Sequence, residues 1–301
     1  MKRRESGIAA LTALLIVAVA ASAAAMMLSQ QSAMLDQTML VASRAQAEQY
    51  AAAGLDWARG VLAQDARSSE ADSLDEGWAK PIVGLPVERA VVAGAIADEQ
   101  GKFNLNNLMD KGRRSEPNVR LFRNLLTSLG LSPDLADPVV DWMLPGGSDA
   151  YYLSLPRPYR AAHGPITQVD ELHRIRGFDA AIVQRLRPYV TALPQGAKLN
   201  ANTANERVLA AAFGESEKVT ALVAERRKKP FENALAFQQR ITQDNLVAVI
   251  PATEFDVKSN WFSVLVRVQQ DDVLLGSEAL VKREDVAKGG AATVVWRRPA
   301  Y

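Results

Sequence analysis

Between Glu5 and Asp36 the chain carries no charged residue. As helix, the run from Ile8 to Leu35 is about 42 Å long, more than the ~30 Å of a bilayer core. Hydrocarbon offers no partner for backbone N–H and C=O groups, so a single segment crossing it must be helical. Lys2, Arg3 and Arg4 lie just before the run and would keep its start in the cytoplasm. Three readings of the Gly7–Ile8 junction compete. The run is the apolar region of a secretory signal, with Ala21-Ser22-Ala23 as an A-x-A-like cleavage site. It is an uncleaved anchor. Or the basic residues are a leader removed directly in front of Ile8.

The residues after the span bear on that choice. No Pro occurs from Ile8 to Ala53, and Gly54 is the first Gly after Gly7. Ala51, Leu55, Ala58 and Leu62 then recur at helical period, while Arg44 and Glu48 stand one turn apart on a polar side. This predicts one helix from Ile8 to about Ala66, apolar all round in its first half and amphipathic in its second. A cleaved secretory signal does not continue as the spine of the domain behind it.

Further on, Arg67 to Pro86 reads as a polar link, and Val91 to Ile96 as a strand. Glu99-Gln100-Gly101 would turn it, Gly101 being free to take positive φ, with Phe103-Asn104-Leu105 as the returning strand. Asp98 and Glu99 then lie at a solvated hairpin tip. From about Asn106 to Lys258 the punctuation is that of short helices. Pro117 opens one that Gly130 closes, Ser132-Pro133 starts the next, and Gly177 and Gly214 read as stops. Thr167 with Asp170, and Thr203 with Glu206, have the spacing of a capping box. Alternation returns at Phe262, Val264, Val266 and Val268. Asp271-Asp272 turns the chain, and Val273 to Lys282 and Thr293 to Trp296 read as further strands. The fold class is therefore α+β: an N-terminal helix packed on a small antiparallel sheet, with a large all-α domain inserted between the strands.

Composition excludes more than it assigns. Lys and Arg number 35 against 34 Asp and Glu, so no global field draws the chain to nucleic acid. With no Cys, disulfides, thiolate catalysis and thiolate metal sites are excluded together. The two histidines, His163 and His173, fall in no triad or metal signature, and the chain reads as a non-enzyme. The stretch from Leu199 to Phe231 does resemble helix-hairpin-helix modules, with Arg226 to Lys229 as candidate phosphate contacts. A membrane-anchored DNA binder of the competence type is thus the alternative reading. Against it, the hairpin Gly214-Glu215-Ser216-Glu217 puts acidic residues where phosphate would sit, so the four cations read as a solvated helix end.

A basic leader ending in Gly7, then Ile8, an apolar span and a long amphipathic helix resemble type IV pilin-like proteins. The run SGIAALTALL, with Thr12 at the fifth position after Gly7, is similar to the minor pseudopilin K family of type II secretion systems. The motifs DEQGKFNLN, Asp141-Trp142, Pro158 to Ala162 and LPQGAKLNANTA follow in that family's order. The resemblance implies a leader at 1–7 and a helix at 8–66, of which 8–30 is in the membrane. It implies a pilin-like sheet from 67–105 and 259–301, interrupted by a helical domain at 106–258 with subdomains at about 106–197 and 198–258. It further implies cleavage between Gly7 and Ile8 by a prepilin peptidase, N-methylation of Ile8, and an inner-membrane anchor with the bulk of the chain in the periplasm. The implied place is the tip of a pseudopilus, beside minor pseudopilins I and J and the major pseudopilin, within reach of secreted substrate or the outer-membrane channel. No nucleic acid is involved. Thr12 stands where most pilin-like subunits have Glu, and its hydroxyl is expected to bond a carbonyl near Ile8. Calcium is the one cofactor the family implies, with Asp137, Asp141 and Asp149 as candidate ligands. Met143, Leu144 and Ser148 stand where relatives tend to have acidic residues, which points to a weakened or lost site.

Overall fold

The computed structural model describes residues 2–285 and 289–300, with residues 2–8 described by their backbone alone. The chain opens with one helix, α1 (Lys2–Ser68). Every residue from Ala9 to Ala42 is exposed. Beyond Ser43 the face carrying Ala47, Ala51, Leu55, Ala58 and Leu62 is buried. The helix therefore changes character along its length, from an apolar cylinder to an element with one apolar stripe.

The chain then reaches β1 (Ile82–Val87) and turns at Glu88, φ 51°, into β2 (Ala90–Asp98). The sequence reads β1 as part of a polar link. It is instead an edge strand, bearing the devices that blunt an edge: Gly84 at φ 69°, Pro86, and a register shift between Ile82 and Leu85. The expected hairpin after β2 is also absent. A short turn at Glu99–Gly101 carries the chain off the sheet, and β3 (Phe103–Asn104) pairs in parallel with β6 (Val190–Thr191) rather than with β2. Gly101 has no positive φ. A side chain there would meet the Thr203 carbonyl oxygen at 2.9 Å, so its role is close backbone approach.

Between these strands lie the hairpin β4 (Met109–Asp110) and β5 (Arg113–Arg114), then α2 (Glu116–Ser128), α3 (Ala136–Met143), α4 (Ala150–Leu153) and α5 (Ala180–Leu186). After β6 follow β7 (Leu199–Asn200), α6 (Glu206–Phe213), α7 (Glu217–Lys228), α8 (Ala234–Gln243) and β8 (Phe255–Asp256), which pairs with β7. Gly130 (φ 66°) and Gly214 (φ 87°) end α2 and α6 in the left-handed region, as helix stops do. The two expected capping boxes form differently. Gln168 and Glu171 make the reciprocal box, which leaves Asp170 free to pair with Arg187 and Arg298. Asn205 caps α6, because the Thr203 hydroxyl is turned inward to Asp98.

The chain returns to the sheet with β9 (Trp261–Gln270), β10 (Val273–Arg283) and β11 (Ala292–Pro299). All five long strands are antiparallel in the order β1-β2-β9-β10-β11. Residues 99–260 are thus inserted between two neighbouring strands. Alternate residues Phe262, Val264, Val266 and Val268 face α1, where Gly54 lets the helix close on Val266. This core and the larger one of the helical unit, built around Phe122, Trp142, Leu209 and Phe237, are separate clusters.

Candidate functional site

Three places carry the residues singled out above: the start of α1, the joint between the two cores, and the loop after α3. In α1 the Thr12 hydroxyl donates to the Ala9 carbonyl at 2.9 Å, so the bond reaches Ala9 rather than Ile8. Gly7 and Ile8 lie within the helix, where the backbone alone is described.

At the joint, Asp98 and Glu99 are buried rather than solvated. Asp98 Oδ2 accepts hydrogen bonds from the Thr203 hydroxyl (2.6 Å), the Ser259 hydroxyl (2.7 Å) and Asn200 Nδ2 (3.1 Å), and Oδ1 accepts from Gln100 N (2.8 Å). Burial pushes its carboxyl up to about 6, against those hydroxyls, which favour the charged form. Glu99 accepts from Lys102 and from the Thr191 hydroxyl. Beside Asp98, the side chain of Arg283 at the end of β10 is 1% exposed. Its guanidinium donates to Asp65 Oδ2 (2.7 Å), to both oxygens of Asp72 (2.7 and 2.5 Å) and to the Ser259 carbonyl (2.6 Å), and stacks 4.7 Å from the Phe262 ring centre. Asp65, Asp72 and Glu76 form the one close cluster of acidic groups among the described residues. Arg283 and Trp78, whose indole N–H donates to Glu76 at 2.8 Å, already satisfy it, so it is an ion-pair knot. Sequence reasoning passes over this network. Its one signal is Arg283 itself, which follows inward-facing Ala279 and Val281 at period two and so must find a partner inside.

The calcium candidates do not converge. Both oxygens of Asp137 face cations: Arg114 Nη1 donates to Oδ1 (2.7 Å), and Arg123 Nη2 lies 2.9 Å from Oδ2. Partial burial pushes Asp137 up, but the two guanidiniums outweigh it and hold the carboxyl below the usual range. Asp141 is exposed on α3. Asp149 Oδ1 accepts from Ala161 N (2.9 Å) and from His163 Nε2 (3.0 Å). The other ring nitrogen of His163 lies 2.9 Å from the Leu144 carbonyl oxygen. Calcium takes six to eight oxygens. Carboxylates already engaged by guanidinium, amide and imidazole N–H groups do not supply them, and this donor set does not fit the ion.

The expectation that Arg226 to Lys229 form a solvated helix end is corrected at its first residue. Arg226 is buried, and its guanidinium donates to the carbonyls of Ala201 and Ala204; only Arg227, Lys228 and Lys229 are exposed. The first of the four cations is thus an internal strut.

Family models described as type II secretion system (T2SS), protein K match residues 101–195 and 199–258. The chain is similar to type II secretion system protein K of Pseudomonas aeruginosa, with 32% identity over 295 residues, covering 90% of this chain and 87% of that protein. The protein of the same name from Pectobacterium carotovorum subsp. carotovorum is 29% identical over 298 residues, covering 90% of each. Among solved structures, the fold is similar to that of a chain in the GspK-GspI-GspJ complex from the enterotoxigenic Escherichia coli type 2 secretion system. The TM-score is 0.75 at 23% identity, over 88% of this chain and 99% of that one. The DNA-binding alternative finds no support in these comparisons.

Proposed function

This chain belongs to the type II secretion system protein K family, and from that premise we propose that it is the minor pseudopilin at the tip of the pseudopilus. It enters the inner membrane through α1, loses residues 1–7 between Gly7 and Ile8, and is methylated on the new Ile8 amine. The inserted and sheet domains then stand in the periplasm as structural parts of a machine that exports proteins across the outer membrane. The leader at 1–7 and the membrane segment at 8–30 are part of this reading, with the inserted unit bounded at 99–260 by the strands on either side of it.

The observation that carries the tip assignment is where the inserted unit is attached. At the membrane-proximal end of the sheet, the Ser43 hydroxyl donates to Asp271 in the β9–β10 turn. At the distal end, Asp65 near the end of α1 pairs with Arg283 beside the joint. Residues 99–260 leave and rejoin the sheet at this distal end, between Asp98 and Trp261. In a stacked filament an insert attached there obstructs the subunit ahead; at the tip there is none. Pseudopilins I and J are the proposed neighbours, in keeping with the composition of the related complex.

The mass and N-terminus of the protein recovered from membranes test the processing step. N-methyl-Ile8 is expected. Gly7→Arg should leave the precursor uncut yet membrane-inserted, because a long cation replaces the small residue before the bond while the span is untouched. A mature N-terminus at Ala24, or normal maturation of Gly7→Arg, would overturn this reading.

A further inference from the structure

We propose that the loop after α3, where the family resemblance places calcium, is closed in this chain by the His163 side chain in place of a metal ion. The imidazole spans the loop. Nδ1 reaches the Leu144 carbonyl at 2.9 Å, and Nε2 reaches Asp149 Oδ1 at 3.0 Å. The backbone on either side is bonded in the same sense: His163 N donates to the Trp142 carbonyl (2.9 Å), Ala161 N to Asp149 Oδ1 (2.9 Å), and Gly147 N to the Leu144 carbonyl (3.0 Å). Residues 142–149 are thereby tied to 161–163 by direct hydrogen bonds.

Two further observations point to the imidazole as the closing element. It occupies the interior of the loop: a Cβ on Gly147 would lie 3.5 Å from His163 Cε1, 3.1 Å from the Leu144 oxygen and 3.2 Å from the Asp141 oxygen. The ring packs beside those carbonyls, with its side chain 24% exposed. Second, His163 holds φ at 48°, a conformation uncommon for non-glycine residues. Here both ring nitrogens and the backbone N–H are engaged at once. Arg160 Nε, 3.9 Å from Asp149 Oδ2, adds positive charge on the remaining side.

The test uses the full chain in detergent, melted in millimolar calcium chloride and in EGTA, with tryptic cleavage after Arg160 as a local readout. Arg157 is followed by Pro158 and is a poor trypsin site, so Arg160 reports the loop. The wild type should melt at the same temperature and be cut at the same rate in both solutions. His163→Ala should melt about 2–4 °C lower for each kcal/mol lost and be cut faster after Arg160, and calcium should restore neither. His163→Gly relieves the backbone but lacks the ring, so it too should be cut faster than wild type. Calcium-dependent melting or protection of the wild type would overturn the proposal. So would wild-type cleavage rates in both variants. If a variant fails to fold, the calcium response of the wild type still decides. Neither readout depends on secretion or tip position, so failure here is distinguishable from failure of the proposed function.

Discussion

Arg283 shows what a single residue can be asked to do when it lies between two cores. Its side chain is almost wholly removed from solvent, as is Asp72, and Asp65 is mostly so. A buried pair is weak evidence of net stabilisation, yet removing one partner leaves an uncompensated charge and costs about 3–5 kcal/mol. Arg283→Leu should therefore lower unfolding free energy by roughly that amount in a denaturant titration. Arg283→Lys should recover little, since an ammonium cannot serve Asp65, Asp72 and the Ser259 carbonyl with one planar fork. Asp98 is the opposite case, a carboxylate held by hydrogen-bond donors and ion-paired to no cation among the described residues. Its folded pKa, about 6, lies above its unfolded value. The stability it contributes is complete below the ordinary carboxylate range and is lost as pH rises through about 6, a change on the order of 3 kcal/mol. The advantage of wild type over Asp98→Asn should thus be largest near pH 4 and shrink toward neutrality. Melting curves of both across that range check it; an advantage that grows with pH would contradict the assignment.

At the scale of the element, α1 obeys two sets of rules along one axis. In its exposed first half a hydroxyl is tolerated because the helix satisfies it internally, as Thr12 does with Ala9. Thr12→Val should preserve secretion, because only a local hydrogen bond is lost and a charge at that depth, which costs about 2.5–3.5 kcal/mol by insertion scales, is absent already. Loss of secretion in Thr12→Val would show that the hydroxyl has a partner in the assembly. In the second half, packing decides. Leu62 is fully buried against the sheet, so Leu62→Ala should cost about 2–5 kcal/mol in the soluble part. Leu14→Ala, in the exposed part, should leave that stability unchanged.

For the whole molecule, the antiparallel sheet and the inserted unit are tied by the buried network of Asp98, Asn200, Thr203, Ser259 and Arg283, because their apolar cores do not merge. Such a joint is directional, since hydrogen bonds hold an angle where apolar contact permits sliding. A fixed joint at the distal end of the sheet suits the proposed tip position. Cysteines placed along the apolar half of α1 should therefore crosslink to pseudopilins I and J and not between two copies of this chain. Repeated self-crosslinks, or recovery of this chain as the main filament subunit, would count against the tip.

Much of this was legible because it rests on local chemistry. An uncharged run of bilayer length, a stripe at helical period and strict alternation from Phe262 to Val268 each specify an element through solvent alone, without reference to distant residues. The insertion between strands followed from the order of those patterns. Other features were invisible, and for a common reason. Asp98, Glu99 and Arg226 are charged residues beside turns or helix ends, and by sequence they belong in water. Each is inside because residues about 20 to 160 positions away supply its hydrogen bonds: Ser259 and Thr203 for Asp98, Thr191 for Glu99, and Ala201 and Ala204 for Arg226. Likewise β1 is a strand only because β2 offers it an open edge, and His163 closes its loop only because the chain brings it back to Leu144 and Asp149. Hydrophobic periodicity is written along the chain. The pairing of a buried polar group is decided only when tertiary folding delivers its partner.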